Sequence, residues 1–419
     1  MKKTLLLIML MASTTTFAQK YVGGDISMLT KYEDAGVVYK DKDGNAVQPL
    51  TFFKEQGLNA MRVRLFVDPS LDNDKAVCQD LEYVKALGKR IKDAGHKFML
   101  DFHYSDTWAD PGKQWTPDAW KTLNDEALAT KLYEYTKSCL EALKAAGAEP
   151  DFIQTGNEIS YGMLWGVSGT TANRCYTNSP EANWKRFFSL LNKAGAACRE
   201  ICPHAKIIIH SERVGAKDVL TDYFDRIKTA SIDYDIIGLS YYPAYHGDLA
   251  TLEGALRVLE ERNYGKDIMI VETGYCYAWA LDGTTFDYTA TYPYTEEGQR
   301  QFTADLITSL NKYKSVKGLF WWWMEDNGNK GVTNKWWNAA LYNHNTGKPY
   351  AAFYELKNFN LKGDVNGDGD VGIGDIISIT NVMAGDGTEE ANNRADVNGD
   401  GEVGIGDIIS ITNIMAGKL

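Results

Sequence analysis

Two glutamates, Glu158 and Glu272, each close an apolar run, 152–155 and 268–271. Burial can keep one carboxyl protonated while a neighbouring cation keeps a second one ionised. Such a pair can cleave a glycosidic bond: one carboxyl donates a proton to the leaving oxygen and the other attacks the anomeric carbon. A separation of about 5–5.5 Å between them gives retention, and about 6.5–9.5 Å leaves room for an inverting water. The plainer reading of either glutamate by itself is an ion pair with Arg62 or Arg64, which lie two residues apart on one face of a strand.

These residues need a frame to bring them together. Apolar runs at 21–26, 60–66, 98–104, 152–157, 206–210, 236–241, 268–272 and 318–323 predict eight strands. Helical spacing predicts helices at 81–94, 126–146, 250–262 and 296–313, the first two closed by Gly95 and Gly147. Strands alternating with helices predict an α/β fold, a (β/α)8 barrel. An open doubly wound sheet is the competing arrangement, but no glycine-rich phosphate loop follows the first strand. In a barrel the strand ends carry the chemistry. Here they read Asp25; Arg62 and Arg64; Asp101 to Trp108, with His103 and Asp106; Asn157-Glu158; His210-Ser211-Glu212; Ser240-Tyr241-Tyr242; Glu272; and Trp321-Trp322-Trp323.

Composition narrows the partners. Forty-four basic against 56 acidic residues leave a net charge of −12, which disfavours a phosphate backbone as ligand. Eleven tryptophans serve either a large core or a cleft in which sugar faces stack on rings. Six cysteines allow 15 pairings and fit no zinc spacing, so disulfides and buried thiols both stay open. The N-terminus carries Lys2 and Lys3, an apolar stretch over 5–12 and a small-residue site ending at Ala18. This predicts an export leader over residues 1–18 and a mature protein in the periplasm, at the cell surface or outside the cell. No other apolar stretch is long enough to span a membrane.

The composition shifts near residue 360. Residues 361–419 hold 11 acidic and 3 basic residues, and the segment 363–381 recurs at 395–413. Each copy spells Asp-x-Asn-x-Asp-Gly with a further Asp at position twelve: Asp364, Asn366, Asp368 and Asp375, then Asp396, Asn398, Asp400 and Asp407. Oxygen donors at this spacing wrap around a hard cation, so two Ca2+ ions are expected. The domains are therefore a leader (1–18), a catalytic barrel (19–360) and a small helical EF-hand-like module (361–419).

The barrel segment resembles the endo-β-1,4-galactanases of glycoside hydrolase family 53. The resemblance rests on Leu-Asp-Phe-His-Tyr-Ser-Asp-Thr-Trp-Ala-Asp-Pro-Gly at 100–112, on Gly156-Asn157-Glu158-Ile159 and on Gly238-Leu239-Ser240-Tyr241-Tyr242-Pro243. Val271-Glu272-Thr273, Gly23-Gly24-Asp25 and Arg62-Val63-Arg64 complete it. It implies a retaining enzyme acting on galactan or type I arabinogalactan, with Glu158 as acid/base, Glu272 as nucleophile and no cofactor for catalysis. It further implies that Arg62 holds the nucleophile ionised and Asn157 bonds the sugar 2-hydroxyl. Asp25, Arg64, His103, Asp106, Trp108, Tyr241 and Trp322 complete the substrate site. Trp323-Met324 stands where such enzymes commonly carry Glu-Pro after the last strand. A β-mannanase or β-glucanase of the same clan, or a noncatalytic galactan-binding protein, are the alternatives. The tail resembles dockerin modules, which implies a cohesin partner; a module held by another surface protein is the alternative.

Overall fold

The computed structural model describes residues 20–327, 336–367, 371–398 and 400–416. The chain divides into two compact units, Lys20–Asn360 and the residues from Leu361 onward. The expected leader lies outside the described residues.

In the first unit eight parallel strands close in chain order. They are β1 (Tyr21–Asp25), β2 (Ala60–Leu65), β3 (Lys97–Phe102), β4 (Phe152–Thr155), β5 (Lys206–Ser211), β6 (Ile236–Tyr241), β7 (Asp267–Thr273) and β8 (Val316–Trp321). Because β1 pairs with β8 as well as with β2, the sheet is a barrel and not an open sheet. Helices return the chain between strands. Four sit where spacing places them: Leu81–Asp93, Asp125–Ala145, Leu249–Arg262 and Glu296–Asn311. The side chains of Asp80 and Asn124 start the first two by accepting backbone N–H groups. Two long helices, Glu181–Ile201 and Lys217–Thr229, go beyond the expected set. The first shows its buried face at Trp184, Phe187, Leu191, Ala194 and Cys198, a helical spacing already present in the sequence.

Three strands, β3, β4 and β8, stop two residues sooner than their apolar runs. Strand β3 ends at Phe102, and Tyr104 turns the chain with a φ of 50°. Strand β4 ends at Thr155, because Gly156 and Glu158 take φ values of 111° and 47°. That left-handed turn lifts Glu158 off the strand.

The barrel interior is layered. Ala60, Met99, Phe152, Ile208, Ile236, Met269, Val271 and Phe320 fill its lower part as one apolar cluster. The next residues inward along the strands are polar: Arg62, Asp101, Gln154, His210 and Ser240, all fully buried. Strand β7 reaches this layer differently. Ile268 and Ile270 face the helices while Met269 and Val271 face the interior. Strict alternation would turn Glu272 outward with Ile270. The register slips between Ile270 and Thr273, and Glu272 pairs with Ser240. The irregularity brings the carboxylate over the barrel mouth. All six cysteines are free thiols, five of them buried.

In the second unit, the helices Ile373–Ala384 and Ile405–Met415 follow the two repeat loops, with Glu389–Arg394 between them. Val365, Ile379, Ala391, Ala395, Val397 and Ile411 form its core. Among the described residues, no helix is long and apolar enough to cross a membrane.

Candidate active site

The site is built on a buried charge network. Asp25 bridges two guanidinium groups, accepting from Arg62 Nη1 at 3.0 Å and Arg64 Nη1 at 2.9 Å. Arg62 Nη2 lies 2.8 Å from Asp101 Oδ2, 2.9 Å from Glu272 Oε1 and 2.9 Å from Asn157 Oδ1. Three carboxylates thus share two cations, an arrangement that is tolerable because each of their oxygens has a donor. Arg64 supports the aromatic wall: its guanidinium lies 4.6 Å from the Trp108 ring, 5.2 Å from Trp322 and 4.8 Å from Trp323.

The two glutamates have different neighbours. Glu272 accepts from Arg62 and, through Oε2, from the Tyr242 hydroxyl at 3.0 Å. Burial pushes its carboxyl up, and the Arg62 charge and the Tyr242 hydrogen bond pull it back. Among the described residues Glu158 touches no cation. Its Oε1 accepts from Ser240 Oγ at 2.8 Å. Burial, then the charge of Glu272, then that of Glu212, raise it well above the usual carboxylate range. The balance leaves Glu272 raised to about 7, and Glu158, with burial and two like charges acting on it, holds its proton more tightly of the two.

A cavity of about 610 Å³ opens above the network. Glu158, Glu272, Asn157, Trp108 and Trp322 line it, with Tyr242, Glu212, Arg213, His246, Trp323 and Trp336. Other members of the expected substrate set lie elsewhere. Asp25, Arg62 and Arg64 are fully buried beneath the cavity as its charge floor. His103 sits below Trp108, its Nε2 3.1 Å from Asp101 and its Nδ1 accepting the Ala109 N–H. Asp106 accepts the N–H groups of Asp68 and Asp118 and ties two loops together. Tyr241 is a correction: strand alternation turns it outward into the core, where its hydroxyl donates to the Gly247 carbonyl, and Tyr242 takes the place at the cavity.

Several participants escape sequence reasoning. His210 accepts the Glu158 N–H at Nδ1, which leaves Nε2 to donate to Ser240 Oγ at 2.8 Å. Burial holds its imidazole well below the usual histidine range, so the neutral form fits this relay. Gln154 donates to Asp101 at 2.6 Å. Glu325, fully buried after β8, accepts the Met28 N–H at 2.8 Å and anchors the turn that follows Asp25. For His210, Ser240 and Gln154 the signal was the inward parity of the strands, which names a face but not a partner; Glu325 lies beyond β8 and carried no such signal.

In the second unit the repeat loops present a hard-donor set. Asp375 and Asp407 are buried, and each gathers backbone N–H groups of its own loop: Val365, Asn366 and Gly372 for the first, Asn398 and Gly404 for the second. Asp364, Asn366, Asp396, Asn398 and Asp400 supply further oxygens on the same loops, a chemistry that suits calcium. Among the described residues no three acidic side chains are yet gathered on one point. Asp368 lies outside the described residues.

The chain matches known proteins along both units. The model of glycosyl hydrolase family 53 matches residues 21–354, and that of the dockerin type I domain, a calcium-binding module, matches residues 362–415. An uncharacterized protein in the bgaB 5' region of Niallia circulans is 35% identical over 352 residues, covering 80% of this chain and 93% of its own. The endo-beta-1,4-galactanase of Bacillus subtilis (strain 168) is 32% identical over 314 residues, 72% of this chain and 68% of its own. Among solved structures, the Ignisphaera aggregans GH53 catalytic domain superposes with a TM-score of 0.70 at 30% identity, covering 82% of this chain and 96% of that one. The catalytic core of xylanase A, at 13% identity and a TM-score of 0.53, shares the fold alone. With its barrel matched almost end to end, the chain belongs to glycosyl hydrolase family 53.

Proposed function

We propose that this glycosidase is an exported, retaining endo-β-1,4-galactanase acting on galactan or type I arabinogalactan. The observation that carries the reading is the unequal surroundings of the two glutamates: Arg62 and Tyr242 on Glu272, Ser240 alone on Glu158. Glu158 gives its proton to the glycosidic oxygen as that bond breaks, and Glu272 attacks the anomeric carbon to form a galactosyl ester. A water then enters; Glu158, now ionised, takes its proton, and the hydroxide oxygen displaces Glu272. Asn157, held between Arg62 Nη2 and the Ala109 carbonyl, is fixed to meet the sugar 2-hydroxyl. Trp108 and Trp322 offer ring faces to the sugar. The galactanase names of the relatives support the substrate.

The C-terminal module binds two calcium ions, one per loop, and docks a cohesin-like partner. The leader over residues 1–18 exports the chain. The test of the catalytic reading is reducing-end release from linear β-1,4-galactan beside mannan and cellulose. Cleavage of galactan into short oligomers supports the reading. Cleavage of mannan or cellulose instead moves the substrate within the clan, and binding without cleavage makes the protein a galactan-binding one.

A further inference from the structure

The residue that follows strand β5 brings to the cavity, beside Asp74, Asp110 and the two glutamates above, a carboxyl that the chemistry above does not use. Glu212 lines the cavity and is 5% exposed. Both of its donors fall on one oxygen: Arg213 Nη2 lies 2.7 Å from Oε1, and Ser160 Oγ donates to the same atom. Its Oε2 is buried and has no hydrogen-bond partner. The arm carrying it is rigid, since the Arg213 guanidinium also donates to Ser160 and lies 3.9 Å from the Tyr161 ring centroid. A fixed acceptor with an unmet bond, on a residue that lines the cavity, is costly unless a ligand donor meets it.

The barrel order places that acceptor. Glu212 follows Glu158 by one strand and its charge acts on the Glu158 carboxyl, whereas Trp322 comes from the opposite side of the barrel, after β8. In a displacement with Glu158 on the leaving oxygen and Glu272 on the opposite face, the departing sugar lies on the Glu158 side. We infer that Glu212 Oε2 accepts a hydroxyl of the sugar on the leaving-group side and so selects for a carbohydrate, not merely any good leaving group, beyond the cleaved bond. This rests on the glycosidase reading of the same cavity.

The test compares two substrates. In β-1,4-galactotetraose a sugar leaves; in a dinitrophenyl β-1,4-galactobioside a phenolate leaves, read by its colour. Because loss of the Glu158 proton also spares the aryl substrate, both kcat/KM values are read on the acid plateau of each variant's pH profile, where Glu158 is protonated, and their ratio there isolates the leaving side. Glu212→Ala is expected to lower the tetraose value at least about tenfold more than the aryl value. Glu212→Gln, which keeps an acceptor oxygen, is expected to recover part of the difference. Should Glu212→Ala not fold, Glu212→Asp draws the same oxygens back by one methylene and serves in its place. Equal losses on both substrates, or none on either, overturn the inference. If the wild type leaves galactotetraose intact but cuts another β-1,4-linked tetraose, the galactan reading falls, and the same comparison on that sugar still decides Glu212. If it cuts no tetraose, both fall.

Discussion

One nitrogen of Arg62 lies 2.9 Å from Glu272 and also 2.9 Å from Asn157. Glu272, the proposed nucleophile, and Asn157, proposed to read the sugar 2-hydroxyl, are thereby fixed to each other through a buried cation. Any movement of one is transmitted to the other, which ties positioning of the sugar to the ionisation of the carboxylate.

Replacing Arg62 tests this coupling. Arg62→Met leaves Asp25, Asp101 and Glu272 with too few donors and should cost about 3–5 kcal/mol of stability, read by denaturant unfolding. Arg62→Lys keeps the charge but not the fork. Glu272 then loses part of the cation that lowers its pKa, so its protonated form persists to higher pH. The acidic limb of the kcat/KM profile should move upward.

The two glutamates should separate by leaving group. Glu158→Gln should lower turnover of galactan by about 10²–10⁴-fold. A dinitrophenyl glycoside, whose phenolate leaves without a proton, should be lost far less at the first step, with a burst of colour before slow hydrolysis. Glu272→Gln should abolish both reactions. A similar loss on both substrates for Glu158→Gln would remove it from the acid role.

Ser240 donates to the ionised form of Glu158 and so favours it. In Ser240→Ala that support is gone, and the Glu158 pKa should rise. Activity needs Glu158 protonated, so the alkaline limb should shift to higher pH, by up to about one unit. A shift downward would contradict the hydrogen-bond relay from His210.

Gly23 pairs with Ala60 where β1 lies against β2. A Cβ built there would fall 1.8 Å from the Ala60 carbonyl oxygen, which is backbone and cannot step aside. Gly23→Ala should therefore yield insoluble chain or a molecule with a greatly lowered melting temperature, whatever becomes of the active-site residues.

Calcium removal should affect the two units unequally. With chelator, the full chain should show a low-temperature unfolding transition from the second unit while galactan cleavage persists. Titration calorimetry on the full chain should count two ions, and Asp375→Ala and Asp407→Ala should each remove one. A count of two in both variants would move the binding away from these loops.

Local information in the sequence carried far. Alternating strand and helix patterns specified the barrel, because each strand must bury both faces and each helix one stripe. The duplicated loops stood out because their donors are contiguous in the chain. Glu158 and Glu272 were legible as polar residues closing apolar runs. What the sequence could not state was orientation. Tyr241 and Tyr242 are adjacent and alike, and only the strand's final turn decides that Tyr242 meets Glu272. Glu272 has the parity of an outward residue, and the slip in β7 turns it inward. His210 and Ser240 come from β5 and β6, far in sequence from Glu158, and join it only where the barrel closes. Periodicity is a property of neighbours along the chain. A register slip, a left-handed turn or a buried charge network depends on contacts between distant segments, and those exist only once the sheet has closed.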